Sequence, residues 1–396
     1  MDRNRLLRLL TTALWTAAVT GYFFQFPFSF LAALITPCGV GYVLLQLPKF
    51  YLLKNKGYLI LFGVFLGYLT FSVIRALILG TEFIRILRFG AILGLLAVCC
   101  LIHDDAFEAK WKIFFHLAMA KAGVLLLIWL ALLVVGDYTA FRDWAWKNGF
   151  GDIYLLSRWN AKVQVHGNAL LLVAFIVDYT RKKRFTLQNG VVLTGILAAG
   201  NFAFILGLGA FFAWQGYAWI RKKKVSRRTV AAILLCGLLL GAPYVASKIA
   251  QKAEVSNKTR IEQAQVLLNA NPFIGEGLGN YIEAQTPTRD YDGDLYFELQ
   301  TLYIYNQVGL LGLALSYCLT VWPLWCKGRD RVLLCLIYLV YSFWNPYCWD
   351  MTHIITLLIL MNTQDLGEKH GKSDYYSLLS ICKRPFQYRG NRRAGG

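Results

Sequence analysis

Apolar runs of roughly 20 residues, the length that crosses a bilayer's hydrocarbon core, recur along this chain with short polar or basic gaps between them. The pattern predicts twelve helices, near 6–24, 28–47, 57–79, 84–102, 113–135, 165–180, 187–200, 202–220, 229–247, 301–324, 331–344 and 349–363. Gly200-Asn201 divides the seventh from the eighth and Asn345-Pro346 the last two, since both pairs favour turns. The run from Leu6 to Tyr22 lacks a small-residue cleavage site, so it reads as a first span and not as a removed signal peptide. Two polar stretches, 136–164 and 248–300, are too long for simple turns. The first carries Trp144, Trp146 and Trp159 and the second an amphipathic segment over Thr259–Ala270, so both read as ordered loops. The expected fold is an all-α polytopic membrane protein of about twelve spans. One transmembrane domain covers 1–363, its large loop lies before the tenth span, and a basic polar tail follows over 364–396.

Composition supports the pattern. Hydrophobic residues make up 57% and charged residues 16%, against roughly 45–50% and about 25% in soluble domains. That excludes an ordinary soluble enzyme, a disordered chain and a secreted disulfide scaffold. The net charge of +19 does not mark a nucleic-acid binder, because the basic clusters fill the gaps between spans and do not gather on a polar face. Arg3, Arg5 and Arg8, then Lys49–Lys56, Lys110 and Lys112, Arg181–Arg184, Arg221–Arg228, Lys327–Arg331 and the tail occupy every alternate connection. By the positive-inside rule these connections and both termini are expected in the cytoplasm. The two long loops are then expected on the outer side.

The basic residues that break this rule are the informative ones. Arg75 ends the third span, Arg85 and Arg88 share one face of the fourth, Arg158 and Lys162 precede the sixth, and Arg260 lies in the second long loop. A charge near the middle of a span costs at least about 2.5–3.5 kcal/mol and commonly marks a substrate pathway; the plainer reading is that each snorkels to lipid headgroups. Guanidinium forks converging at one interface suit a phosphate or pyrophosphate anion. Lys121, deep in the fifth span, has no acidic partner visible in the sequence.

Other motifs are weaker. The nine cysteines lie mostly within apolar spans without a C-x-x-C, and the five histidines lack ligand spacing, so neither disulfides nor a zinc site is expected. Asp290-Tyr291-Asp292-Gly293-Asp294 lacks the glycine and the twelfth-position acid of a calcium loop, Leu295 and Thr301 standing there instead. It reads as a solvated acidic loop, and no metal is expected. Gly275-Glu276-Gly277-Leu278-Gly279 has no βαβ context and reads as a turn set up by Asn271-Pro272.

One region carries a resemblance. Arg260, the run Asn271-Pro272-Phe273-Ile274-Gly275-Glu276-Gly277-Leu278-Gly279-Asn280-Tyr281, and the segment from Glu298 to Gly309-Leu310-Leu311-Gly312 resemble the superfamily of O-antigen ligases and O-antigen polymerases. In that superfamily an Arg precedes a P-x-x-G-x-G-x-G-like turn and a G-x-x-G opens the next helix. Arg158–Asn168 is similar to the Arg-containing stretch before the span that follows the first outer loop. The chain departs from the ligases where they carry His before nine residues and G-x-x-G: Glu298 stands there, followed by Leu299.

The resemblance implies a GT-C-like glycosyltransferase of lipopolysaccharide or related polysaccharide synthesis, in a bacterial inner membrane with its active site on the periplasmic side. Its donor would be a glycan on an undecaprenyl-pyrophosphate carrier, and its acceptor a glycan or lipid-linked hydroxyl. Membrane lipid and a chain-length regulator protein would be partners, nucleic acid would not, and no cofactor would be needed. On this reading Glu298, Arg260 and Arg158 are catalytic, while Arg75, Arg85, Arg88 and Lys162 hold the pyrophosphate. Glu298 would be the base, or else a carboxylate paired with a loop Arg or Lys for structure alone. A polymerase is the primary expectation; a ligase to lipid A–core and a transporter of a lipid-linked anionic sugar are the alternatives.

Overall fold

A computed structural model describes residues 3–47, 56–135, 138–157, 160–223, 258–282, 284–286, 297–343 and 345–366. Helices dominate, and their ends follow the apolar runs closely. The first five are α1 (Arg3–Phe24), α2 (Ala32–Gln46, after a short 3-10 turn at Ser29–Leu31), α3 (Lys56–Ile78), α4 (Phe83–Cys99) and α5 (Phe107–Val135). The first long loop then folds into α6 (Thr139–Lys147) and two strands, β1 (Gly151–Ser157) and β2 (Asn160–Val165). Next come α7 (Ala169–Lys182), α8 (Leu187–Ala199) and α9 (Phe202–Lys223); then α10 (Lys258–Leu268), α11 (Gln300–Lys327), α12 (Arg329–Phe343) and α13 (Met351–Asn362). The span expected at 229–247 lies outside the described residues.

Among the described residues, five segments are long and apolar enough to cross a membrane: 29–46, 56–78, 107–135, 202–221 and 300–327. Leu187–Ala199 and Met351–Asn362 are apolar but shorter. The outward faces of the helices are themselves apolar: Ile60, Val64 and Phe71 on α3, Ile84 and Leu87 on α4, Leu127, Leu130 and Val134 on α5 and Phe212 on α9 are all exposed. Patches of that extent mark a surface covered by something other than water, here lipid. The chain is a multi-pass membrane protein.

Two helices are largely apolar and buried over most of their length, as helices without a polar face must be. Ala169–Asp178 of α7 and Thr352–Asn362 of α13 are enclosed along their lengths by the others. Contacts between helix ends sort those ends into two groups. At one end, Asp104 accepts from the Tyr42 hydroxyl (2.9 Å), pairs with Lys110 (2.8 Å) and donates its amide to Asn362 Oδ1 (2.8 Å). Arg181 reaches both oxygens of Glu108 at 2.9 Å. Lys327 donates to the Met361 carbonyl (2.7 Å), and Arg331 to those of Leu360 and Thr363. These cations cap the C-terminus of α13, whose last carbonyls have no partner within the helix. At the other end, Tyr22 meets Thr352 (3.1 Å) and Asn201 meets Asn345 and Tyr347.

The hairpin at that second end departs from the all-helical expectation. Residues 160–165 alternate, with Ala161, Val163 and Val165 buried beside Ile153. They pair antiparallel as Gly151 with Val165 and Ile153 with Val163. The sixth span therefore starts at Ala169, not at 165. Likewise α5 begins at Phe107, so Lys110 sits inside the bundle, fully buried, and not in a solvated connection. Lys121 lies halfway along α5; its ammonium donates to the His166 carbonyl (2.9 Å) and rests over the Phe26 ring.

Candidate functional site at a broken helix

α11 is not continuous. Gly309 takes φ 64° and ψ −176°, which splits the element into two half-helices, Gln300–Val308 and Leu310–Lys327. Such a φ is strained for any residue with a Cβ, and a Cβ at Gly309 would lie 2.3 Å from the Phe273 carbonyl oxygen. A break inside a membrane frees backbone groups that lipid cannot satisfy. Here the glycine-rich loop satisfies them. Glu276 N donates to the Asn306 carbonyl (2.8 Å) and Gly277 N to that of Gln307 (2.9 Å), in place of Leu310 N and Leu311 N. Those two amides turn instead to the carbonyls of Pro272 (2.9 Å) and Phe273 (3.1 Å). The Tyr68 hydroxyl of α3 donates to the Val308 carbonyl (2.6 Å). The loop is thus spliced into the helix, and two glycine motifs that the sequence shows separately form one unit.

The loop keeps its shape through local bonds. Asn271 Oδ1 accepts from Phe273 N (3.1 Å) and Ile274 N (3.2 Å), and its carbonyl from Gly275 N (2.9 Å), as the Asn-Pro turn predicts. Gly275 lies so close to the break that a Cβ there would sit 2.5 Å from the Gln307 carbonyl carbon. Gly279 N donates to Gln307 Oε1 (2.9 Å), and Asn280 Nδ2 to Asn306 Oδ1 (3.0 Å).

Three expected residues meet this loop or its supporting helix. Arg75 at the end of α3 reaches Glu276 Oε2 at 3.4 Å, and Glu276 Oε1 accepts from Asn271 N. Arg85 pairs with Glu82 (3.1 Å) and places its guanidinium 4.5 Å from the Tyr281 ring centroid. Arg75 Nε and Arg85 Nη1 are buried donors with no hydrogen-bond partner among the described residues. Arg260, near the start of α10, places Nε and Nη2 each 3.0 Å from Glu298 Oε2. α10 is fastened to the first half of α11 by Gln263, whose Oε1 accepts from Leu299 N (3.3 Å), and by Asn306, whose Nδ2 donates to the Leu267 carbonyl (3.1 Å).

The other expected residues stand elsewhere. Arg88, one turn beyond Arg85, is exposed. Lys162 is on β2 opposite Tyr154, against Gly200; β2 packs on α5 and α8, whereas Arg75 and Arg85 stand on α3 and α4. Arg158 and the acidic run Asp290–Asp294 lie outside the described residues. Sequence reasoning overlooked Glu276, Tyr68, Asn306 and Gln307. Glu276 sat in view within the glycine run, and its acidity beside three glycines was the signal. Comparison with protein-family models, curated proteins and solved structures gives no match.

Proposed function

We propose that this chain is a membrane glycosyltransferase, specifically a polysaccharide polymerase that moves a glycan from an undecaprenyl-pyrophosphate carrier to a sugar hydroxyl on the outer face. The observation that carries this reading is the pair of unfilled guanidinium donors, Arg75 Nε and Arg85 Nη1, beside one loop seated in a broken helix. Arginine does not lose its proton in proteins, so these two donors beside the loop can take an anion. Broken helices are a recurrent way to build polar sites at membrane depth.

In the proposed step the acceptor hydroxyl oxygen bonds to the anomeric carbon as the bond from that carbon to the carrier pyrophosphate breaks. The electron pair leaves on the pyrophosphate, where Arg75 and Arg85 stabilise it. The hydroxyl proton passes to Glu298. Arg260 takes Glu298 Oε2 with both of its contacts, and Oε1 has no bond among the described residues. Arg260 is therefore a positioning residue.

The test is turnover by purified protein in lipid nanodiscs, supplied with carrier-linked repeat units extracted from producing cells. Glu298→Gln should lower turnover about 10²–10⁴-fold, as loss of a general base does, with donor binding kept. Arg85→Ala should lower it about 10²–10³-fold, as loss of one charge-stabilising donor does. Chelation with EDTA should leave the rate unchanged. Wild-type rates from both variants would overturn the proposal. Movement of donor across proteoliposomes without new glycosidic bonds would establish the transporter instead.

A further inference from the structure

Beside the glycine loop, the C-terminal turns of α10 and the segment that follows Gly279 border an open groove of about 660 Å³. That lies within the roughly 300–1,000 Å³ of small-molecule sites. Gln265, Asn269, Asn280, Asn306, Tyr281 and Ile282 are among its walls. Four are carboxamides, and none of the described lining residues is charged.

The amides divide into two kinds. Asn306 is buried and committed, its Nδ2 to the Leu267 carbonyl and its Oδ1 to Asn280 Nδ2. It fixes Asn280 in place and leaves Asn280 Oδ1 open. Gln265 and Asn269 are exposed, and their amides form no hydrogen bond among the described residues. Each carboxamide offers two donors and a two-lone-pair acceptor. That mixed set matches hydroxyl groups, which both give and take. An anion would call for Arg or Lys, which the described walls lack, and an apolar ligand would leave the amides unpaired at a cost. Tyr281 links this groove to Arg85, whose guanidinium lies over its ring.

We infer that this groove binds a neutral sugar residue of the glycan, one step along from the pyrophosphate. This rests on the proposed function for its place in the reaction, but not for its chemistry. Gln265 and Asn269 are its specificity-determining residues.

The experiment applies labelled wild-type protein in detergent to an array of neutral and acidic bacterial oligosaccharides. Undecaprenyl pyrophosphate binding is measured on the same preparations. Wild-type protein should retain neutral glycans. Gln265→Ala/Asn269→Ala should weaken that retention roughly tenfold, the scale of one or two lost hydrogen bonds. Its undecaprenyl pyrophosphate binding and unfolding temperature should not change. Asn269→Asp, which alters charge and not size, should also weaken retention. No neutral glycan retained by wild type, or equal retention by the double variant, would overturn the inference. Glycan retention that depends on these amides, in a protein that fails to bind undecaprenyl pyrophosphate, would uphold the groove and remove the transferase reading.

Discussion

The Asp104 cluster and the broken-helix region hold their paired charges differently. In the Asp104 cluster, the Lys110–Asp104 pair is 0% and 1% exposed. Asp104 also accepts from Tyr42 and Ala106 and donates to Asn362, so it ties α2, α5 and α13 together. In the broken-helix region, Arg75–Glu276 is 26% and 34% exposed, and Arg260–Glu298 is 19% and 37% exposed. Both pairs keep solvent contact, and Arg75 Nε has no hydrogen-bond partner among the described residues. A sealed pair contributes architecture, because breaking it strands a charge. A half-open pair contributes little stability and can exchange a partner for a ligand.

The strongest way to break this contrast is Asp104→Ala. It leaves the Lys110 ammonium buried without its carboxylate and should cost about 3–5 kcal/mol, read as denaturant unfolding in detergent. An Asp104→Ala protein as stable as wild type would remove the distinction between the sealed and the half-open pairs. Gly309→Ala should come next. The left-handed backbone alone costs about 1–3 kcal/mol, and the Cβ would collide with the Phe273 carbonyl. We expect protease cleavage near the loop to accelerate along with the loss of stability. Glu298→Gln should shift unfolding by under about 1 kcal/mol, as exposed pairs do, while turnover collapses; a large stability loss would instead make the pair structural.

The smallest effect concerns His103, in the turn after α4. Its Nε2 is 2.9 Å from Asp105 and its Nδ1 is 3.5 Å from the Lys327 ammonium. Burial and Lys327 hold the imidazole below its usual pKa despite Asp105. The unfolded chain therefore takes up the proton first as pH falls, so stability drops as pH descends through the ordinary histidine range. His103→Gln should flatten that slope slightly in unfolding curves between pH 7 and 5.

Helix boundaries were legible because each apolar run is bounded by charge or by Gly, Asn or Pro. α3 and α4 fall within a few residues of expectation for that reason. The hairpin was harder to see. Its alternation at Ala161, Val163 and Val165 was in the sequence, but Arg158-Trp159 between its strands carries no turn residue. Both glycine motifs were visible too, yet the tenth span read as continuous. Nothing local says that Gly275 and Gly309, far apart along the chain, meet. The Arg260–Glu298 pair illustrates the same limit: a carboxylate with a loop Arg was one of two readings, and only the fold supplies the partner.

The splice also constrains how the sequence can change in length. Four backbone bonds lock Pro272, Phe273, Glu276 and Gly277 to residues 306–311 in fixed register. Adding or deleting one residue within either stretch would offset donors from acceptors on the two sides of the break at once. Related chains that keep this break can therefore vary their amino acids in these two windows but cannot drift in spacing there. Length changes have to accumulate elsewhere.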